Sequence, residues 1–405
     1  MPSSGPFSAV RRSVDHAHRA RLADLHSVLT THQDLWRPAP FRVRRPDWCA
    51  YRPDLAEAVL GLDEPALDRL TGDPALCRRW LARWLPDIDA LARLVTLPPL
   101  PRRDLPPLDP RLSRAIPGRK CEQIKAFAAH VPPSRTPVLD WCAGKGHLGR
   151  LLAHIDRRPV RSLEIDAALS ESAARLATRA GVDQTEIRAD ALSEFAHTQV
   201  AGCAVVALHA CGDLHRSLVR RARQAGAHSY HIAPCCYHVG TAGSYWPLAV
   251  HAPLTLDTDA LRLATTETVT APPQDRNRLA RDQTWKLGFV ALRDALEGEA
   301  VRRFRPVPAR WLSGDFSSFC RALAGREGVH LPTSVDWAYW LTVGERRRDE
   351  VRRLELVRHA FRRPLELWLV MDLAVALEEA GFGVRVGSFC DRAHTPRNLM
   401  LQAQR

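Results

Sequence analysis

The sequence lacks the long apolar segments that membrane insertion or secretion requires. No apolar run approaches the roughly 18 residues of a membrane span, and the N-terminal stretch MPSSGPFSAVRRS has no apolar core of the signal-peptide kind. The ten cysteines, several of them adjacent to one another or beside glycines, do not form the pattern of a secreted disulfide scaffold. These absences predict a cytoplasmic protein without a membrane segment.

Lysine is also scarce, since only four of the 58 basic residues are lysines. The 45 acidic residues leave a formal net charge of +13, but the excess is spread along the chain and forms no basic tail. So strong a preference for arginine, with abundant Ala, Leu and Pro, is typical of a GC-rich genome. Charge alone therefore gives little support for an acidic partner such as RNA. Three of the lysines (Lys120, Lys125 and Lys145) nevertheless fall in or just before the glycine motif described below, where a compact ammonium fits better than a guanidinium.

Composition and periodicity divide the 405 residues into five segments. An apolar content of 45% and a charged content of 25% exclude a mostly disordered chain, and the length allows two or three domains. The prolines of LPPLPRRDLPPLDP prevent both helix and sheet pairing, which predicts a linker there. The predicted segments are a helical N-terminal domain (1–97), a proline-rich linker (98–117), an alternating helix and strand region (118–240), a mixed or helical insertion (241–364) and a C-terminal helix with two strands (365–405).

Alternating helices and strands after Gly118 predict an α/β fold with a doubly wound parallel sheet. The predicted strands are Pro137–Cys142, Arg161–Ile165, Glu186–Ala189, Cys203–Leu208 and His228–Ala233, closed by Gly383–Phe389 and Asn398–Gln404. Among the predicted helices are Val14–Trp36, Ala75–Val95, an arginine-rich helix near Glu345–Arg363, and Leu365–Ala380.

A glycine motif joins the first predicted strand to a helix. The segment VLDWCAGKGHLG contains Gly144-x-Gly146-x-x-Gly149, with Glu164 about 20 residues further on, which is the pattern of an NAD or FAD site. Asp140 argues against a dinucleotide, because a carboxylate at the end of the first strand would repel a pyrophosphate. Asp190 ends the third strand and adds a third acid to the same crevice.

Three carboxylates suit a ligand that carries an ammonium, a sulfonium, ribose hydroxyls and an adenine amine, which is S-adenosylmethionine. In this interpretation the glycines Gly144 and Gly146 admit the methionine part. Asp140 bonds the ammonium directly or through water, Glu164 holds the ribose hydroxyls, and Asp190 meets the adenine amine. The alternative is that one or two of these acids only cap helices at the strand ends.

Two clusters of cysteine and histidine follow the fourth and fifth predicted strands, HACGD and PCCYH. Because ligands of open α/β sheets bind beyond the carboxyl ends of the strands, an acceptor would lie here. The clusters could form a polar pocket with a proton acceptor, or their cysteines could only fill space. A zinc site is a third alternative, but adjacent cysteines rarely chelate one ion and no Cys-x-x-Cys occurs, so no metal is expected. The candidate catalytic residues are His209, Asp213, Cys235, Cys236 and His238.

Four segments resemble one methyltransferase family: VLDWCAGKGHLGRLLA, VVALHACGDLHRSLVRRA, IAPCCYH and TPRNLMLQA. This family includes methyltransferase-like proteins that carry a ribosomal RNA adenine dimethylase domain and the human glutathione-S-transferase-C-terminal-domain-containing protein. More distant members are the eukaryotic tRNA acceptor-stem 2′-O-methyltransferases. The resemblance covers about Gly118–His238 and Leu365–Ala403. Residues 1–117 and about 241–364 lie outside it.

The resemblance implies a Rossmann-like class I methyltransferase fold, with residues 118–240 as the cofactor half of the core and a closing strand pair at its C-terminal end. It implies S-adenosylmethionine as cofactor, and Lys120 resembles part of an element that precedes the glycine loop in relatives; Lys120 and His209 are assigned to the cofactor site. The sequence departs from many class I enzymes at Cys142, where they have glycine. It also lacks a Cys/His zinc finger like that of the tRNA enzymes, so their substrate does not carry over.

The predicted function is an S-adenosylmethionine-dependent methyltransferase that acts on RNA, either tRNA or rRNA. Arginines that could hold phosphates support this acceptor, and a solvated helix face is the alternative for each group. Neither an Asn/Asp-Pro-Pro-Tyr motif nor a Lys-Asp-Lys-Glu set is visible, so the methylated atom stays open. The other candidate functions are a protein methyltransferase and a non-catalytic RNA-binding module. The arginines concerned are Arg216, Arg220 and Arg223, the stretch Arg302-Arg303-x-Arg305, and those of residues 346–363.

Overall fold

The computed structural model describes residues 7–107, 109, 112, 116–241, 243–250, 252, 254–266, 273–298 and 305–405. The chain divides into two compact units, one of Met1–Thr30, Ala90–Glu267 and Arg362–Arg405, the other of Thr31–Asp89 and Thr268–Phe361. The predicted N-terminal domain and the predicted insertion therefore each contribute residues to both units. The domain bounds inferred from composition stay predictions.

The first unit is built on a seven-stranded sheet in the order β3-β2-β1-β4-β5-β9-β8. Neighbouring strands are parallel from β3 through β5, while β9 runs antiparallel to both β5 and β8. This order confirms the predicted α/β, Rossmann-like fold with its closing strand pair. The strands of the described residues are β1 Val138–Trp141, β2 Val160–Glu164, β3 Gln184–Arg188, β4 Ala204–Cys211, β5 Ser229–Cys235, β6 Ser244–Tyr245, β7 Leu256–Asp257, β8 Gly383–Ser388 and β9 Leu399–Gln404.

Helices flank the sheet and make up the second unit. Up to the glycine motif they are α1 Phe7–Thr31, α2 Gln33–Trp36, α3 Trp48–Tyr51, α4 Pro53–Leu60, α5 Glu64–Gly72, α6 Pro74–Leu81, α7 Ala90–Val95 and α8 Gly118–Ala129. Within and after the parallel strands they are α9 His147–Asp156, α10 Ala167–Ala180, α11 Glu194–Thr198, α12 Asp213–Arg220, α13 Ala222–Ala225 and α14 Thr258–Thr265. The remaining ones are α15 Pro273–Glu297, α16 Phe316–Glu327, α17 Trp337–His359 and α18 Arg362–Glu379.

The core of the first unit forms where α8 and α9 cover the parallel strands. Apolar residues recur at helical spacing on α9 and pack onto the sheet, which removes them from water and stabilises the layer. The cluster contains Ile124, Phe127, Val138, Leu148, Leu151, Leu152, Val160, Val206 and Met400.

The proline-rich stretch packs along the first unit. Residues 96–107 form neither helix nor strand, as the prolines predict. Leu100 is buried in the core cluster, and the N–H of Arg103 donates to the carbonyl of Ala129 at 2.8 Å. The Arg103 guanidinium also pairs with Asp156, at 2.5 Å and 3.0 Å. These contacts fix the segment on the body of the unit.

Several predicted elements are wrong in their extent. The helix predicted over Val14–Trp36 is divided between α1 and α2. The single helix predicted over Ala75–Val95 is broken into α6, a 3₁₀ turn at Pro86–Asp89 and α7, because Pro86 has no N–H to continue the helical ladder. The fourth strand, predicted to end at Leu208, continues to Cys211 through a register irregularity. His209 sits in the irregularity with a left-handed backbone (φ +70°), which a hydrophobic pattern does not reveal.

The second unit is helical, with an aromatic core in its C-terminal half formed by Trp285, Phe289, Phe316 and Phe319. Most of the arginines of α17 pair within the unit: Arg352 and Arg353 both bind Glu64, and Arg347 binds Glu350. These ion pairs favour the alternative interpretation of the arginines, a solvated helix face whose charge is neutralised by nearby acids. The predicted Arg302-Arg303 pair lies outside the described residues.

Among the helices described, none is both long and apolar enough to span a bilayer.

Candidate functional site

The glycine loop turns between β1 and α9 at the carboxyl edge of the sheet. Gly144 and Gly146 both have left-handed backbones, with φ of +58° and +61°. A Cβ atom on Gly146 would lie 2.2 Å from Nε2 of Gln184 and 3.2 Å from Cβ of Ala173, so the amide end of Gln184 would have to move. A Cβ atom on Gly144 would meet no described atom within 4 Å. The backbone at Gly144 therefore faces open space, where a ligand can approach it closely.

Glu164 ties this loop to the end of β2. Its Oε2 accepts the N–H of Gly144 at 2.8 Å, and its Oε1 accepts the N–H groups of Ile165 and Asp166, both at 3.0 Å. A carboxylate offers about four lone-pair positions, so three such bonds leave room for one further donor. Glu164 stands where the sequence predicts it, beside the glycines, with acceptor capacity left for a hydroxyl.

Asp140 lies beneath the first turn of α9 and is only 3% exposed. Its Oδ2 accepts the N–H of Gly149 at 2.9 Å, so this acid has the contact of a helix cap, one of the alternatives open from sequence. Burial raises the pKa of Asp140 to about 7; the N–H of Gly149 opposes the shift, and the negative charges of Glu186 and Glu164 add to it. The carboxyl group therefore changes charge near neutral pH.

Glu186 is an acidic neighbour that sequence reasoning missed. In the register of the sheet Asp140 lies opposite Ser162, and Ser162 lies opposite Glu186, so the three side chains share one face. Burial raises the pKa of Glu186 as well. A third strand that begins at Gln184 places Glu186 in the middle of that strand, beside Ser162. The predicted strand began at Glu186 and so placed this residue at the strand end, away from Asp140.

Asp190 does not join these acids through any described contact. It is exposed, and its Oδ1 accepts the N–H of Leu192 at 2.9 Å in a local turn. This contact is not a helix cap, because Ser193 is the N-cap of α11, and the predicted contact of Asp190 with the adenine amine stays a prediction. Cys142, between β1 and the glycines, adopts a left-handed backbone (φ +57°), the conformation for which glycine is the usual residue.

Backbone hydrogen bonds join the two cysteine and histidine clusters at the ends of β4 and β5. The N–H of Gly212 donates to the carbonyl of Cys235 at 3.0 Å, and the N–H of Asp213 donates to the carbonyl of Val239 at 3.0 Å. A Cβ atom on Gly212 would lie 1.9 Å from the Val239 carbonyl oxygen, so only glycine permits this approach. The segments HACGD and PCCYH are therefore bonded directly to each other, as expected for the ends of neighbouring strands.

Gln123 on α8 orients the imidazole of His209. Nε2 of the Gln123 amide donates to the carbonyl of His394 at 2.9 Å, which assigns its Oε1 as the atom 3.1 Å from Nε2 of His209. His209 therefore carries its proton on Nε2, and Nδ1 is left as an acceptor. Burial, with the charges of Lys120 and Arg397, lowers the pKa of His209. The neutral ring is a suitable proton acceptor.

Asp213 and the arginines of α12 are bound to one another. Asp213 Oδ1 lies 3.3 Å from Arg216 and 2.9 Å from Arg220. The Arg216 guanidinium also donates to the carbonyl of Trp246 and lies 4.1 Å from the ring centroid of Tyr245. Arg223 donates to the carbonyl of Glu379 at 2.6 Å. Asp213 is thus already neutralised. Arg216 is buried among these contacts, whereas Arg220 and Arg223 remain at the surface, so their predicted contact with phosphates stays a prediction.

Three thiols converge beside His209. The Sγ atoms of Cys211, Cys235 and Cys236 all lie within 4.8 Å of one another, and those of Cys211 and Cys235 are 3.4 Å apart. Hydrogen bonds from the Cys211 and Cys235 thiols lower the pKa of Cys236. His238 follows in the same turn, half-buried, and its Nδ1 has no hydrogen-bond partner among the described residues.

A buried carboxylate holds the segment that follows this cluster. Asp372 on α18 accepts the hydroxyl of Tyr245 at 2.6 Å and the N–H groups of Leu248 and Ala249 at 2.9 Å and 2.8 Å. It is fully buried, and these three donors compensate for its removal from water. Helix α18 thereby fixes the segment from Tyr245 to Ala249, a contact between distant parts of the chain that no local motif indicates.

Residues 119–240 match a family model described as a methyltransferase domain. The matched range contains the glycine loop, Glu164 and both cysteine and histidine clusters. No curated protein matches the chain. The match supports a methyltransferase domain within this chain, and with it a methyltransferase activity.

Proposed function

We propose that the chain is a methyltransferase that uses S-adenosylmethionine and acts on RNA. The observation that carries the cofactor assignment is the Gly144 backbone, which is held by Glu164 and faces open space at the carboxyl edge of β1 and β2. The second polar cluster, at the ends of β4 and β5, belongs to the same sheet edge. A methyl donor bound beside Gly144 and a methyl acceptor bound beside the second cluster would meet at that edge.

The residues present fit this cofactor. Gly144 leaves room for a ligand beside the backbone, and Glu164 retains acceptor capacity for a ribose hydroxyl. Asp140, Glu164 and Glu186 give the site a negative potential that favours an ammonium and a sulfonium. When bound, S-adenosylmethionine supplies an electrophilic methyl group on a sulfonium.

His209 is the proposed proton acceptor. Gln123 fixes its tautomer so that Nδ1 can take the proton of a hydroxyl or amine nucleophile. Asp213 is assigned a structural role because Arg216 and Arg220 already bind it. Holding the nucleophile in line and excluding water are the remaining tasks of the pocket, and the rigid HACGD and PCCYH turns suit them.

RNA is the proposed acceptor because cations stand at this sheet edge. Lys120 and Lys145 are exposed, and Arg397 influences both His209 and Cys236. Such charges attract a polyanion. The proposal does not use Arg216 and Arg223, whose guanidinium groups bind within the first unit.

Two experiments test the proposal. Calorimetry with S-adenosylmethionine should detect binding to the wild-type chain and at least tenfold weaker binding to Glu164→Ala. The control Asp183→Asn, which changes an exposed acid at the amino end of β3, should bind like wild type. Tritiated methyl transfer should then label total RNA taken from cells that lack this gene. Absence of S-adenosylmethionine binding would refute the assignment as a methyltransferase. Tritium label found only in protein would refute RNA as the acceptor.

A further inference from the structure

We propose that Cys211, Cys235 and Cys236 form a three-thiolate zinc site at the ends of β4 and β5. Their three Sγ atoms lie within 4.8 Å of one another, with 3.4 Å between Cys211 and Cys235. Thiolate sulfur is the commonest ligand of structural zinc sites and also occurs in some catalytic ones. The cluster lies at the same sheet edge as the proposed acceptor pocket, but zinc binding is measured without S-adenosylmethionine or a methyl acceptor, so the test does not depend on the proposed function.

The backbone solves a problem that adjacent cysteines normally pose. Consecutive residues of an extended strand point to opposite faces, so Cys235 and Cys236 are not expected from sequence to reach one ion. Cys236, however, has a left-handed backbone with φ +45°, at the point where β5 ends. This conformation breaks the alternation and turns its Sγ toward that of Cys235. A non-glycine residue in this region is uncommon and is typical of functional sites.

The spacing of the sulfurs suits a tetrahedral ion. With zinc–sulfur bonds of about 2.3 Å, the edge of a tetrahedron between two sulfurs is about 3.8 Å. The observed 3.4 Å and the upper limit of 4.8 Å bracket this value. Side-chain rotations are therefore enough to admit the ion.

The protein holds the ligands before any ion arrives. Cys211 and Cys235 are paired positions of the parallel strands β4 and β5. The N–H of Gly212 donates to the carbonyl of Cys235, and the N–H of Val239 donates to that of Cys236 at 2.9 Å. A framework fixed in this way reduces the entropy lost when the ion binds. Cys235 is buried, whereas Cys211 and Cys236 are half-buried, so one side of the cluster stays accessible to a fourth ligand.

Metal analysis of the full chain, purified without chelators and in the presence of a thiol reductant, tests the site. We expect about one zinc per chain in the wild type, and a loss of most of it in Cys211→Ser and Cys236→Ser. Cys390→Ala is the matched control, because Cys390 is also half-buried but lies outside the cluster, and it should keep its zinc. Replacement of zinc by Co²⁺ should give a thiolate-to-cobalt absorption band that the two cluster variants lack.

The wild-type protein alone can refute the proposal, so misfolded variants do not obscure it. A chain that takes up neither zinc nor Co²⁺ from solution would overturn it. Zinc that persists in both cluster variants would do the same, because the ion would then be bound elsewhere. So would a Cys211–Cys235 disulfide that mass spectrometry detects in freshly isolated protein and that prevents metal uptake.

Discussion

The side chain of Gln123 joins His394 to His209: its amide nitrogen donates to the backbone carbonyl of one, and its oxygen lies 3.1 Å from Nε2 of the other. This arrangement couples α8, which precedes the glycine loop, to the end of β4, where the acceptor is proposed to bind. The reactive nitrogen of the His209 imidazole is therefore set by a side chain on a different element of the fold.

Gln123→Leu should therefore slow methyl transfer about tenfold or more, part of the roughly 10²–10⁴-fold that a positioned base contributes. Affinity for S-adenosylmethionine should stay near the wild-type value, because the glycine loop is untouched. Single-turnover rates and calorimetry measure the two effects separately. Gln402→Leu is the matched control, since Gln402 bonds the carbonyl of His130 instead, and it should transfer methyl groups at the wild-type rate.

The two left-handed glycines should respond differently to alanine. Gly146→Ala brings a Cβ atom to 2.2 Å from Gln184 and should lower the free energy of unfolding by about 1–3 kcal/mol. Gly144→Ala meets no described atom and should cost about 1 kcal/mol of backbone strain. Its methyl group enters the space proposed for the ligand, so binding should fall at least tenfold. Urea unfolding and calorimetry compare the pair, and equal losses of stability with intact binding in Gly144→Ala would contradict the interpretation.

Asp140 should make the stability of the ligand-free protein depend on pH. Its usual pKa of 3.8 applies to the unfolded chain, whereas burial raises the folded value to about 7. Between these values the folded protein holds a proton that the unfolded chain has released. The contribution of Asp140 to the free energy of unfolding therefore falls as pH rises through this window, by about 1.4 kcal/mol per pH unit at most.

Asp140→Asn keeps an acceptor for the N–H of Gly149 but cannot ionise, so it should remove this slope and stabilise the ligand-free protein at pH 8. It should also weaken S-adenosylmethionine binding above neutral pH, where the wild-type carboxylate is charged. Urea unfolding between pH 5 and pH 8 measures the difference, with Asp190→Asn as the exposed control. Parallel pH profiles for wild type and Asp140→Asn would show that Asp140 is not the group that titrates.

Arg216 should matter for stability rather than for RNA binding. Its buried guanidinium contacts Asp213, the Trp246 carbonyl and the Tyr245 ring, so Arg216→Ala should cost about 2–4 kcal/mol. Arg220 is about half exposed and has only Asp213 as an ion-pair partner in the described structure, so Arg220→Ala should cost less than about 1 kcal/mol. Thermal unfolding distinguishes the two. An unchanged melting temperature in Arg216→Ala with weaker RNA binding would restore the predicted phosphate contact.

The parallel sheet was predictable because strands such as β4 begin as buried apolar runs, and because helices with clear glycine stops, such as Gly181, separate the strands. Its five parallel strands and the closing pair lie within a few residues of their predicted bounds. The break at Pro86 and the extension of β4 through His209 were not predicted. Both depend on backbone conformation, which hydrophobic periodicity does not report.

The position of Glu164 beside the glycines was predictable from strand order alone. The actual partners of the charged groups were not, because which partner an arginine or aspartate finds depends on three-dimensional neighbours. Arg216 and Arg223 illustrate this: the first donates to the carbonyl of Trp246, and the second to the carbonyl of Glu379. The convergence of Cys235 and Cys236 was likewise hidden, since it depends on one left-handed residue.

The pairing of β5 with β9 has a consequence for how the protein is made. Residues 229–232 of β5 bond to residues 401–404, which the ribosome adds only after the whole intervening chain. During that interval the newly made methyltransferase segment has an open strand edge, and such edges pair readily with those of other chains. The nascent protein is therefore most prone to aggregation between synthesis of β5 and arrival of β9, and chaperone dependence should be greatest in that interval.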